Sequence, residues 1–240
     1  MIFDKVVIAC TSLGLLAATS YSQDFKESLR LANKFYSEAE TLEVNTTQRV
    51  FMNAGDSNPM TEEKGEYIKT PEYTFTQIGS IMSVADDSLL LTIHKDKKVV
   101  LLQPAMVLPD PVSGLALDTF LTKYGSPIYL GNMDGRVRYK FMFKKNSGSG
   151  MSSMEIHFDR KHHHPLFVRM VYLSVKAEYS PTIPDGVYNP VVEIEYTKAT
   201  ESKPYNKRIP LLNDLLSIDG SKFVLTGEFK EYQLINTLGK

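Results

Sequence analysis

Ile68–Leu102 reads IKTPEYTFTQIGSIMSVADDSLLLTIHKDKKVVLL, and this stretch decides the fold. Tyr73 and Phe75 alternate with Thr74 and Thr76, and Leu89, Leu91 and Ile93 alternate with Leu90, Thr92 and His94. Each run therefore sends apolar side chains to one face, the signature of half-buried strands. Ala85-Asp86-Asp87-Ser88 and His94-Lys95-Asp96-Lys97-Lys98 are short polar connectors, of the length that joins neighbouring antiparallel strands. A meander of three or four strands is expected.

Working outward, Asp24–Thr41 places Phe25, Leu29, Ala32, Tyr36 and Ala39 at helical spacing, with Lys26, Glu27, Arg30, Lys34 and Glu38 on the other side. This is an amphipathic helix suited to lie on a sheet. Strands are expected at Leu42–Met52 and near Lys64–Thr70, separated by the turn Gly55–Pro59. Downstream, Pro104–Gly114 carries Pro104, Pro109 and Pro111 among Met106, Val107 and Leu108, which fits an apolar loop. Leu115–Tyr124 reads as a short helix stopped by Gly125 and Pro127. Arg136–Lys144 alternates strictly, with Val137, Tyr139, Phe141 and Phe143 opposed by Arg136, Arg138, Lys140 and Lys144, and Met154, Ile156 and Phe158 repeat the pattern. Phe167–Tyr179, Val191–Thr197 and Phe223–Asn236 continue as strands, and Pro210–Ser217 adds a helical turn.

About ten antiparallel strands are too many for a flat open sheet. The expected architecture is mainly β (α+β): a strongly curved antiparallel sheet forming a half-barrel, covered by the N-terminal helix and the short central helix.

The 240 residues, 42% hydrophobic and 23% charged, fit one globular domain over 23–240. With 27 basic against 28 acidic residues and a formal net charge of −1, no global field favours nucleic acid. Met1–Lys5 reads as a charged leader region, Val6–Ala18 as its apolar run, and Ser20-Tyr21-Ser22 as a cleavage site before Gln23. A secretory signal peptide over 1–22 and a periplasmic location follow as expectations, with no transmembrane segment, since the apolar run falls short of the about 20 residues needed to span. Cys10 within Val7-Ile8-Ala9-Cys10 faintly resembles a lipobox, but the apolar region before it is only four residues long. A discarded leader cysteine is the better reading, leaving a mature chain without thiol chemistry.

Five short sequences then carry a resemblance: Thr47-Gln48-Arg49-Val50, Gly65, Lys69-Thr70-Pro71, Val84-Ala85-Asp86-Asp87 and Gln103-Pro104. In order and spacing, the chain over Asp24–Pro104 resembles the periplasmic outer-membrane lipoprotein carrier (LolA-like) family. The resemblance implies a half-barrel of antiparallel strands closed by helices around an apolar cavity that accepts the acyl chains of a lipoprotein. Thr70 stands where the family has an arginine that helps hold the empty cavity shut, a departure that bears on the open–closed cycle and not on the fold.

Individual residues point to no catalysis. There is no Gly-x-Ser-x-Gly, no cysteine after residue 22 and no phosphate-cradling glycine loop. Asp86-Asp87, Asp214 and Asp219 are acids of turns or helix ends. His162-His163-His164 with His157 is the most metal-like feature, but three adjacent histidines before Pro165 cannot all aim at one ion, so no metal and no cofactor is expected. The apolar stripes Tyr73, Phe75, Leu89, Leu91, Ile93, Tyr139, Phe141 and Phe143 are either plain sheet core or, more sharply, the walls of a lipid-sized cavity. Met106, Val107 and Leu108 are then candidates for its lid. The expected function is a non-enzymatic exported carrier or chaperone for a lipid or lipoprotein acyl chain. The alternative is an interaction module of the same fold that binds a protein partner in the cell envelope.

Overall fold

A computed structural model describes residues 25–106, 127–143, 148, 150–177, 186–197, 211–220 and 222–238. The expected signal peptide with Cys10, the candidate lid residues Val107 and Leu108, and the central helix Leu115–Tyr124 lie outside the described residues.

The amphipathic helix forms as α1 over 25–38. It is followed by β1 (Leu42–Phe51), β2 (Thr61–Lys69), β3 (Thr74–Ile78), β4 (Ile81–Ala85), β5 (Leu89–His94) and β6 (Val99–Pro104). Next come β7 (Ile128–Met133), β8 (Arg136–Met142), β9 (Met151–Asp159), β10 (Pro165–Tyr172), β11 (Val175–Ala177), β12 (Gly186–Tyr188) and β13 (Val191–Tyr196). The chain closes with α2 (Leu212–Leu215), β14 (Leu216–Asp219), β15 (Lys222–Leu225), a 3-10 turn at Gly227–Phe229 and β16 (Gln233–Asn236). Twelve strands make one mostly antiparallel sheet in the order β16-β6-β5-β4-β3-β2-β1-β13-β10-β9-β8-β7. The mainly β reading of the sequence therefore holds.

The described residues cluster into two compact units, one drawn from 25–37, 49–61 and 127–195, the other from 38–48, 62–106 and 196–238. In the second unit, strand register turns sequence alternation into continuous rows. Ile68, Phe75, Val84, Leu91 and Leu102 lie opposite one another in succession across β2 to β6, and Met82, Ile93 and Val100 form the next row. All eight are buried, and Leu212, Leu215, Leu216, Leu225 and Phe229 pack onto them from the C-terminal segment. Each fully buried Leu, Ile or Phe contributes about 1.5–3 kcal/mol. Having crossed this face, the chain adds β16 parallel to β6, Leu234 beside Val100 and Asn236 beside Leu102.

In the first unit α1 supplies the cover. Phe25, Leu29, Ala32 and Tyr36 are buried. The Phe25 ring meets Tyr139, Phe141 and Phe158 edge-on, with centroids 5.1, 5.0 and 5.9 Å away. These edge-to-face contacts suit the quadrupoles of aromatic rings.

Three strand expectations change. Phe167–Tyr179 does not run on as one strand: after a register shift at Tyr172, the N–H of Tyr172 donates to Pro190 O and that of Leu173 to Gly150 O. β11 then pairs with β12 in a ribbon of its own. Phe223–Asn236 is broken at Gly227, whose φ of 60° suits glycine and ends the extended run. The resulting β16 is parallel, so the sheet is not wholly antiparallel. Finally, β7 is an additional strand, joined to β8 through Asp134-Gly135, both at positive φ.

Candidate functional site

The candidate cavity residues divide between the two units. Phe75, Leu91 and Ile93 are inside the packed core of the second unit, with Tyr73 and Leu89 half-buried against it. Tyr139, Phe141 and Phe143 are buried in the first unit, the first two beneath Phe25 of α1. Among these eight, Tyr73 and Tyr139 each line a cavity.

The Tyr73 cavity, of about 270 Å³, lies at one end of the second unit's sheet. A meander sends alternate turns to the same end, so the β2–β3 turn, the β4–β5 turn and the exit from β6 meet there. Its walls are Thr70, Pro71, Glu72 and Tyr73 from the first turn with Thr74 of β3, Ala85 at the end of β4 with Asp86 and Asp87 of the second turn, and Ala105 and Met106 beyond β6. Thr70-Pro71 and Ala85-Asp86-Asp87 belong to two of the five short sequences that carry the family resemblance, and register brings them together.

Each turn closes itself. The Thr70 hydroxyl accepts the N–H of Tyr73 at 3.1 Å and of Glu72 at 3.3 Å, and lies 3.2 Å from Tyr73 O. Asp86 Oδ1 accepts the N–H groups of Ser88 and Leu89 at 2.7 and 2.8 Å. Such side-chain acceptors fix tight turns. Burial, followed by the charge of Glu72, pushes the Tyr73 phenol up against a hydrogen bond with Thr70 that lowers it. The cavity thus has fixed polar turns around one half-buried ring. Met106 at its edge is exposed.

The opposite face of the same strands differs from the packed one. Ile78 lies across from Ile81, and both are more than 40% exposed. Ile235 lies beside Leu101 at 39% exposure. Between them Ser83 and Thr92 share a hydrogen bond of 3.1 Å. Tyr67 and Leu90 are buried on this face. Sequence alternation passes over these residues because it marks the more apolar face as the inner one.

The first unit's second face is ionic. Lys140, Glu155, Arg169 and Glu193 oppose one another across β8, β9, β10 and β13 with alternating charge. Glu155 contacts His157 Nε2 at 2.7 Å, Arg169 lies 3.4 Å from Glu193, and Arg49 of the matched Thr-Gln-Arg-Val sequence pairs with Glu195 at 3.0 Å. Of the three adjacent histidines, two lie together and one apart. His162 stacks on His164 at 5.9 Å, while His163 lies 3.4 Å from the Ser28 hydroxyl. Among the described residues no group of three or more His, Cys, Asp or Glu is placed to hold a metal ion.

No protein-family model matches the chain, and no curated protein does. Among solved structures, an uncharacterized conserved protein from Thermus thermophilus is 11% identical over 89% of this chain and 99% of its own, with a TM-score of 0.42. Lipoprotein LppX from Mycobacterium tuberculosis is 8% identical over 74% of this chain and 95% of its own, with a TM-score of 0.38. A LolA superfamily protein from Nitrosomonas europaea is 12% identical over 75% of this chain and 94% of its own, with a TM-score of 0.29. The chain is thus distantly similar in structure to LolA superfamily and LppX structures. Among the described residues no helix is long and apolar enough to cross a membrane.

Proposed function

We propose that this protein is a non-enzymatic, exported carrier that holds an acyl chain of a lipid or lipoprotein against the second unit's sheet. The observation that supports the reading is the half-exposed apolar surface of Ile78, Ile81, Leu101 and Ile235, on the face opposite the filled core. The hydroxyls interleaved with it, Ser83 and Thr92, share one hydrogen bond, which lowers the cost of covering them. An acyl chain laid there gains about 0.8 kcal/mol for each methylene removed from water. The turn-end cavity at Tyr73 and Met106 offers a polar rim where such a chain could enter. Thr70 is fully engaged in its own turn, so the release step differs from one based on an arginine at that position.

Native mass spectrometry with lipid extraction, on protein purified from its own envelope, tests the reading. A co-purifying acyl lipid lost on denaturation is expected, together with uptake of a fluorescent fatty acid. Ile78→Glu and Ile81→Glu should abolish uptake while leaving the melting temperature nearly unchanged, because both positions are already exposed to solvent. A clean apo mass with no uptake refutes the proposal.

A further inference from the structure

A second cavity, of about 210 Å³, lies in the first unit beside the start of α1, far in sequence from the turns described above. One water occupies about 30 Å³, so the space admits an ion of several heavy atoms. Its walls include Ser28 of α1, Asn132 of β7, and Arg160 and His163 of the turn after β9. That turn is tightly tied: the N–H of His163 donates to Asp159 O and that of Arg160 to Gly135 O, both at 2.9 Å. His163 is held at a φ of 58°, a left-handed conformation in which histidine, asparagine and aspartate are enriched among residues other than glycine. Ser28, only 4% exposed, keeps its hydroxyl 3.4 Å from His163 Nδ1.

Among the described residues, the cavity lining carries one guanidinium, Arg160, and one carboxylate, Glu27. Both carboxylate oxygens of Glu27 are taken by Arg30, at 2.6 and 2.8 Å. Those hydrogen bonds hold the Glu27 carboxyl below the usual carboxylate range, and His163 adds a weaker electrostatic pull. Glu27 is engaged by Arg30, which lies outside the lining, and Arg160 and His163 line the cavity beside the neutral polar groups of Ser28 and Asn132. Tyr129 and Tyr139, their ring centroids 5.8 Å apart, complete the wall.

We propose that this cavity is a binding site for a small oxyanion, a phosphate or carboxylate group, held by Arg160 and His163 and oriented by Ser28 and Asn132. A guanidinium is suited to a planar or tetrahedral oxyanion because its N–H groups can donate in pairs. The site does not depend on the acyl-carrier reading, since it shares no residue with the apolar face.

Inorganic phosphate, acetate and soluble dihexanoyl phosphatidate, each titrated into the full protein, test the assignment. Isothermal titration calorimetry is the readout, with tyrosine fluorescence beside it, since the chain has no tryptophan and two of its 13 tyrosines line the cavity. At least one of the three should give a saturable response. Arg160→Gln should weaken it at least about ten-fold. His163→Asn, which accepts the left-handed backbone, should weaken it as well, and His162→Asn, outside the lining, should leave it unchanged. A response to phosphate or acetate assigns a free ion, and one confined to phosphatidate assigns a lipid headgroup. The proposal is overturned if none of the three gives a saturable response, or if Arg160→Gln and His163→Asn bind like the native protein while their melting temperatures show them folded.

Discussion

Gly65→Ala tests the close approach of two strands in the second unit. A Cβ built at Gly65 falls 2.3 Å from Thr46 Oγ1, and it also meets Gln77 O and Ile78 Cγ1 at 3.4 Å each. Ordinary contacts start at about 3.4 Å, so the new methyl group lacks roughly 1 Å on the Thr46 side and has no slack on the other. Threonine is stiff about χ1, which limits escape by rotation. Gly65 is not in a left-handed conformation, so alanine also gains about 0.4–1 kcal/mol by restricting the unfolded chain. Overpacking costs about 1–3 kcal/mol and outweighs that gain. The expected net loss is about 1–2 kcal/mol, or a fall in melting temperature of about 2–8 °C for a chain of this size. Urea unfolding followed by far-ultraviolet circular dichroism should be run on Gly65→Ala, Thr46→Ala and the double variant. Removing the hydroxyl should restore most of the loss, giving a coupling of about 1 kcal/mol. A Gly65→Ala protein as stable as the native one, or a double variant showing only the sum of the two single effects, would refute the steric argument.

The remaining predictions concern the first unit. Phe25→Ala should cost about 3–5 kcal/mol in urea unfolding, because it removes a buried ring packed edge-on against Tyr139, Phe141 and Phe158. Phe25→Leu, which keeps apolar bulk without the ring, should cost less, and a leucine variant as stable as the native protein would mean that the edge-on ring contacts contribute nothing. At Asp159, burial by itself raises the carboxyl, but the N–H groups of His162 and Lys161 and the charges of His164 and His162 bring it below its ordinary 3.8. A depressed folded value means that its stabilisation is present above the unfolded value and is lost as pH falls through the folded one. The stability difference between native protein and Asp159→Asn should therefore shrink between pH 6 and pH 3, and a constant difference would contradict the assignment.

The sequence by itself determined the local elements. α1 is set by apolar residues at helical spacing, and the strands from β2 to β9 largely by period-two alternation, which depends only on the pleat and on near neighbours. The turn at Asp86-Asp87 was legible because such an acid bonds the backbone two or three residues on, whereas the equally local turn at Thr70 was passed over. The Asp134-Gly135 hairpin carries an equally local signal, a pair suited to positive φ at both positions. Its strand β7 was nevertheless passed over, because Ile128–Met133 does not alternate cleanly.

Only the tertiary structure decided which apolar face is filled. Phe75, Leu91 and Ile93 are sealed by Leu212, Leu215 and Phe229, more than a hundred residues later in the chain. Alternation states that a face is apolar and contains nothing about what will cover it. The parallel direction of β16 was hidden for the same reason, since no hairpin ties it to β6 and its orientation follows from the path of 211–232. The approach of Gly65 to Thr46 and the meeting of Ser28 with His163 likewise join residues far apart in sequence, and such meetings are fixed by packing.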